Sequence, residues 1–156
     1  MPEPKLMFDE CISRPSVERL GAFVPPSSGV TIGHMLEHFP SGTHDEDWVV
    51  ALEAQGWTIV SADGARRPNA GRGRKLPTLC GELGITLVTL SPTIHARGSF
   101  DRMRTILSVW DELIFVASDP SKLGRRYMLE PYGQNKLGLH NNKGIGQLHP
   151  RRSSED

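Results

Sequence analysis

The chain has 156 residues, of which 37% are hydrophobic and 23% charged, and its formal net charge is zero at pH 7. That balance fits one soluble globular domain, long enough to bury a core. No apolar run approaches the ~20 residues a bilayer span requires, and two cysteines, Cys11 and Cys80, are too few for a disulfide framework or a thiolate metal site.

In chain order, residues 5–9 read as a short apolar strand that runs into Asp9-Glu10. Ser13 then offers a helix cap with Pro15 just inside, and Val17, Leu20 and Phe23 follow at helical spacing, so residues 13–23 form a helix. Pro25, Pro26 and Gly29 end it. A second strand is expected over 30–36. His34 and His38 flank its end but would not share a helical face, so they are expected as surface or hydrogen-bonding histidines rather than zinc ligands. Residues 40–43 are a turn, and residues 45–55 carry a helix pattern with Asp45, Glu46 and Asp47 in the first turn and Trp48, Val49, Ala51 and Leu52 as the apolar stripe. Residues 57–62 are a buried strand with Asp63 at its exit.

Beyond Asp63 the composition changes to Gly, Ala, Pro and Asn with five cations, Arg66, Arg67, Arg72, Arg74 and Lys75, which is expected to be an exposed, mobile loop. A helix over 75–83 ends at Gly84, and 85–90 is the clearest strand, apolar and β-branched as central parallel strands are. Phe100, Met103, Ile106, Leu107, Trp110, Leu113, Ile114 and Ala117 fall at spacings of three and four, predicting one long helix over 100–117 packed on the sheet. Residues 125–131 could close the sheet as an edge strand. From 132 to 156 the chain is rich in Gly, Asn, Lys and His, and the expectation is a flexible basic tail following a domain at 1–131.

Strands alternating with helices imply right-handed crossovers and a mostly parallel sheet covered on both faces, the three-layer α/β/α class. Ligands in such sheets bind beyond the carboxyl ends of the strands, where Asp9 and Asp63 are placed. If their strands are neighbours, the two acids leave at one edge, and the loop before Asp45 can turn the acidic helix start toward it. Helix capping explains one or two acids of the 45–47 turn but not Asp63. Carboxylates gathered at one point repel unless a cation sits among them, which points to a divalent-metal site. The charges are also divided: residues 1–63 hold three cations against ten acids, residues 64–156 fifteen against eight. A metal site in the first part and a phosphate-binding surface in the second would suit an enzyme of nucleic acid; chance clustering with a basic tail accounts for the charges equally well.

The stretches Leu6-Met7-Phe8-Asp9-Glu10, Asp45-Glu46-Asp47-Trp48 and Gly56 through Asp63 together resemble the PIN-like nucleases, in particular the compact bacterial branch of VapC-type toxins. The resemblance spans about residues 5–117. It implies a PIN-like fold and a metal-dependent endoribonuclease with bound Mg²⁺ or Mn²⁺, neutralised by an antitoxin protein; whether it forms a homodimer stays open, and the missing bilayer-length run and basic-then-apolar start make the cytoplasm the expected location. It also implies Asp9, Asp45 and Asp63 as metal ligands, with Glu10 or Glu46 as an outer ligand or proton acceptor. Arg66, Arg67, Arg72, Arg74 and Lys75 would hold RNA. The chain departs from the family pattern after Asp63, where Gly64 and the basic loop stand in place of an aspartate followed by Phe. Two other readings remain: a catalytically silent interaction module, and a nuclease directed at DNA.

Overall fold

In a computed structural model, which describes residues 3–62, 74–131 and 146–152, the chain builds a six-stranded sheet in the order β2-β1-β3-β4-β5-β6. The strands are β1 (Lys5–Phe8), β2 (Thr31–His34), β3 (Trp57–Ser61), β4 (Leu87–Leu90), β5 (Arg126–Pro131) and β6 (Gly146–Arg151). The first five pair in parallel and β6 runs antiparallel to β5. The helices are α1 (Arg14–Phe23), α2 (Asp45–Ala51), α3 (Leu76–Leu83), α4 (Pro92–His95), α5 (Ser99–Ser108) and α6 (Trp110–Ser118).

Two cores follow from the two-residue period of the strands. Leu6, Phe8, Val60, Val88, Tyr127 and Leu129 face one way and pack with Val17 and Leu20 of α1, Ile94 of α4, Ile106 of α5 and Leu113 and Val116 of α6. Met7, Ile59 and Leu87 face the other way, against Trp48 and Val49 of α2 and Leu76, Leu79 and Cys80 of α3. The result is the expected three-layer α/β/α arrangement around a mostly parallel sheet. Among the described residues, no helix is long and apolar enough to cross a membrane.

Ser13 caps α1 through its side chain, which accepts from Ser16 N–H, and Gly84 closes α3 in the left-handed region at φ 69°. The expected 45–55 helix is shorter, because Gly56 (φ 79°) and Ala54 (φ 63°) turn the chain into β3.

Three differences from the sequence reading stand out. The helix expected over 100–117 is two helices broken at Val109, whose φ of −111° and ψ of 20° leave the helical region. The Ser108 hydroxyl donates to the Thr105 carbonyl at 2.6 Å and accepts the Gly146 N–H at 2.9 Å, so a long-range partner holds the break. The apolar periodicity runs through it because both helices lie on one core, although Phe100 and Leu107 of the predicted stripe are exposed. Strand β5 is not an edge: residues 146–151, expected within a flexible tail, pair with it along its whole length. Glu130 of β5 forms an ion pair with Arg151 and lies 3.4 Å from Nε2 of His149 of β6, tying the returning segment down.

Candidate active site at the carboxyl edge of the sheet

Strands β1 and β3 are adjacent and parallel, with Phe8 level with Val60. Asp9 is therefore the first residue past the strand, and its own N–H still donates to the Val60 carbonyl at 3.0 Å. The Asp9 carboxylate is buried, at 1% exposure. Its Oδ1 accepts the Glu10 N–H at 2.7 Å and its Oδ2 accepts the Ser61 hydroxyl at 2.8 Å. Two aimed donors fix the orientation of this buried carboxylate, and their hydrogen bonds offset part of its lost hydration.

The turn that follows Asp9 is braced from both sides. His34 at the end of β2 is fully buried, and its Nε2 lies 2.7 Å from the Ile12 carbonyl while its Nδ1 accepts the Leu36 N–H at 3.2 Å. Those partners assign the neutral tautomer with the proton on Nε2. His34 is thus a structural hydrogen-bonding histidine, and both of its ring nitrogens are occupied. Glu37 accepts the His34 N–H at 2.8 Å and completes that corner. On the β3 side, Cys11 Sγ accepts the Ala62 N–H at 3.2 Å and lies 3.5 Å from the Ser61 hydroxyl.

Asp45 opens α2, and its Oδ1 accepts the indole N–H of the fully buried Trp48 at 3.1 Å. Asp45 and Asp9 both act on the thiol of Cys80 in α3, which is pushed up to about 12 by burial first, then by the negative charge of Asp45, then by that of Asp9. One buried sulfur therefore feels both candidate carboxylates. Asp47 is exposed.

Glu10 and Glu46 are already engaged. Glu10 accepts the Ser41 hydroxyl at 2.9 Å and the Gly42 N–H at 3.2 Å. Glu46 accepts the backbone N–H and Nε of Arg74 at 2.9 and 3.1 Å, and these hydrogen bonds hold its carboxyl below the usual range. Arg74 also pairs with Glu82. Of the residues expected to hold substrate, Arg74 is thus bound between two acids, and Lys75 is exposed at the N-cap of α3. Asp63, Arg66, Arg67 and Arg72 lie outside the described residues.

Among the described residues, no three His, Cys, Asp or Glu side chains gather as a metal-holding group. The donor chemistry of Asp9 and Asp45 is oxygen alone, which suits a hard divalent cation such as Mg²⁺ or Mn²⁺. Each oxygen of Asp9 keeps a second lone pair beside the one already used. The sequence alone did not single out Ser61 or Cys11, and it gave His34 as a hydrogen-bonding histidine without its place at the Asp9 turn; the legible clue to Ser61 was a small hydroxyl residue at the end of a buried strand, two positions before an acid.

The Cys80 shift carries a measurable consequence. At pH 8, Cys80 should resist a thiol reagent in the native protein while the half-buried Cys11 reacts, so titration counts one thiol before denaturation and two after. Because the folded thiol holds its proton until about 12 and the unfolded one releases it near 9, stability falls as pH rises above about 9. Two fast-reacting thiols in the native state would contradict the burial.

A family model described as a PIN-like domain matches residues 4–72. The matched span begins with β1 and contains Asp9, Asp45, Asp63 and most of the basic stretch. PIN-like domains are in general nucleases. No curated protein and no solved structure matched the chain.

Proposed function

We propose, on the premise of that PIN-like span, that the chain is a metal-dependent endoribonuclease and the toxin of a toxin and antitoxin pair. The observation that carries the reading is the buried Asp9 carboxylate, fixed by Ser61 and the Glu10 N–H at the carboxyl edge of adjacent parallel strands, where such sheets place their ligands. Asp9 and Asp45 would hold a divalent cation, and Asp63, two residues beyond Ser61 in sequence, is the third ligand in this reading. A bound Mg²⁺ or Mn²⁺ lowers the pKa of a water and offsets charge on the phosphoryl oxygens. Ser61 keeps the Asp9 carboxylate turned, and Trp48 does the same for one oxygen of Asp45. The cations Arg66, Arg67, Arg72 and Lys75 would hold the RNA backbone through phosphate contacts. Arg74 is better placed to fix α2 against α3, and Glu46 to receive it, than either is to touch substrate.

A surface seam supports a protein partner. Ser16, Leu20 and Phe23 of α1 and Phe100, Met103 and Leu107 of α5 line a cavity of about 390 Å³. Phe23 and Phe100 are 79% and 75% exposed, and two large aromatics open to water mark a surface that something covers. Arg19 and Arg104 stand in the lining, Arg104 already paired with Asp101 at 2.9 Å, and no acidic side chain lines it among the described residues, so an amphipathic helix with an acid placed for Arg19 fits. That is the form in which an antitoxin segment would bind. A two-fold copy of the chain would bring this cationic lining against itself.

The test is incubation of the purified chain with labelled single-stranded RNA and DNA in Mg²⁺ or Mn²⁺, with a chelator control. The expected result is internal cleavage of RNA that the chelator stops and added metal restores. Cleavage confined to DNA would make it a DNA-directed nuclease, and nucleic-acid binding without cleavage would make it a silent interaction module.

A further inference from the structure

Glu10 follows Asp9 directly, yet its carboxylate turns away to the segment that leads into α2. Its Oε2 accepts the Ser41 hydroxyl at 2.9 Å, and its Oε1 accepts the Gly42 N–H at 3.2 Å. Gly42 sits at φ 80°, a conformation that glycine adopts without strain and that aims its N–H at Glu10. Three residues later Asp45 begins α2, whose first turn closes on the His44 carbonyl through the N–H groups of Asp47 and Trp48 at 3.0 and 3.2 Å. Residues 9 and 10 therefore belong to one rigid turn, one carboxylate facing the sheet edge and the other gripping the entry to the helix that carries Asp45. We infer that Glu10 is a positioning residue that sets the distance between Asp9 and Asp45, and that it acts through Ser41 and Gly42 rather than on metal or substrate. This rests on the nuclease reading for its catalytic consequence but not for its structural one.

The chemistry separates the two roles. Glutamine can keep both contacts, its carbonyl accepting from Gly42 N–H and its amide donating to the Ser41 oxygen, while losing the charge that a ligand or proton acceptor needs. Ser41 touches neither Asp9 nor Asp45 in any described contact, so it matters only if the grip matters.

The experiment compares Glu10→Gln, Glu10→Ala, Ser41→Ala and the double variant Glu10→Ala/Ser41→Ala in the full chain, each checked by thermal melting. Amide hydrogen exchange is read at Gly42, Asp47 and Trp48, and RNA cleavage is read as kcat and KM. Glu10→Ala should speed exchange at all three amides and lower kcat about tenfold, the scale of losing charge-assisted hydrogen bonds. Ser41→Ala should show a smaller change of the same kind, the double variant should be no worse than Glu10→Ala, and Glu10→Gln should lie closest to wild type in both readouts. Exchange at Asp47 and Trp48 unchanged in Glu10→Ala would overturn the inference. So would Glu10→Gln as inert as Glu10→Ala with Ser41→Ala like wild type. Wild-type chain that cleaves nothing would instead remove the nuclease reading, and the exchange pattern would still decide the role of Glu10.

Discussion

Replacing Asp9 by Asn is expected to lower RNA cleavage at least about a hundredfold while changing stability by only about 1 kcal/mol. The two effects separate because the site asks two things of this side chain. As an acceptor it holds the Glu10 N–H at 2.7 Å and the Ser61 hydroxyl at 2.8 Å. The backbone donor cannot turn, so the Asn carbonyl takes the Glu10 N–H. Its amide then faces Ser61, whose hydroxyl can rotate to accept from it and point its own proton toward Cys11 Sγ, 3.5 Å away. The turn survives, but the negative charge does not, and an amide oxygen is a poor substitute as ligand for a hard cation. Mg²⁺ should accordingly raise the melting temperature of the wild-type chain and leave the Asn variant unmoved, since a ligand that binds only the folded state stabilises it by mass action. Cleavage by Asp9→Asn at the wild-type rate, in protein shown to be free of contaminating nuclease, would end the proposal.

Trp48 is expected to give the largest loss of stability. It is fully buried between α2 and the Met7, Ile59 and Leu87 face of the sheet. Trp48→Ala should cost about 3–5 kcal/mol, since the helix covering that face cannot collapse far into the space. That is a large share of the roughly 5–15 kcal/mol by which folded domains exceed their unfolded chains. Thermal or urea melts should therefore show a midpoint lower by ~10 °C or a largely unfolded protein. Trp48→Phe isolates the other duty of the side chain. It keeps most of the apolar volume and removes the indole N–H that Asp45 accepts at 3.1 Å. Its stability should fall by about 1–2 kcal/mol, with a further loss of cation affinity, because Oδ1 of Asp45 loses the N–H that orients it. Equal Mg²⁺ affinity in Trp48→Phe and wild type would show that the indole does not orient Asp45.

The alternation of short apolar strands with helices was readable because each strand contributes its residues alternately to two faces, and each helix presents one stripe to one of them. Leu6 and Phe8 against Met7, or Trp48 and Val49 against exposed Asp47, carry that pattern in their order alone. So did the position of Asp9, since an acid that ends an apolar strand has only the strand's exit to occupy. The breaks in the pattern were not readable. Val109 continues the apolar period across a helix end because α5 and α6 share one core, and what holds the break is Gly146, 38 residues away from Ser108. Residues 146–151 have the composition of a tail and become a strand only because β5 offers them a full row of backbone partners.

The chain order of this protein thus determined its layers, the parallel run of its central strands and the sheet edge where Asp9 emerges, because those depend on periods of two and 3.6 that any segment displays by itself. Only the tertiary structure decided which acids are committed elsewhere. Glu10 and Glu46 are as acidic in sequence as Asp9, but Ser41, Gly42 and Arg74 claim them. Ser61 looks unremarkable, and His34 is only a histidine at a strand's end, until folding brings each of them to the Asp9 turn. A side chain's role depends on which donor or acceptor arrives opposite it, and partners 22 to 52 residues distant leave no trace in the local pattern.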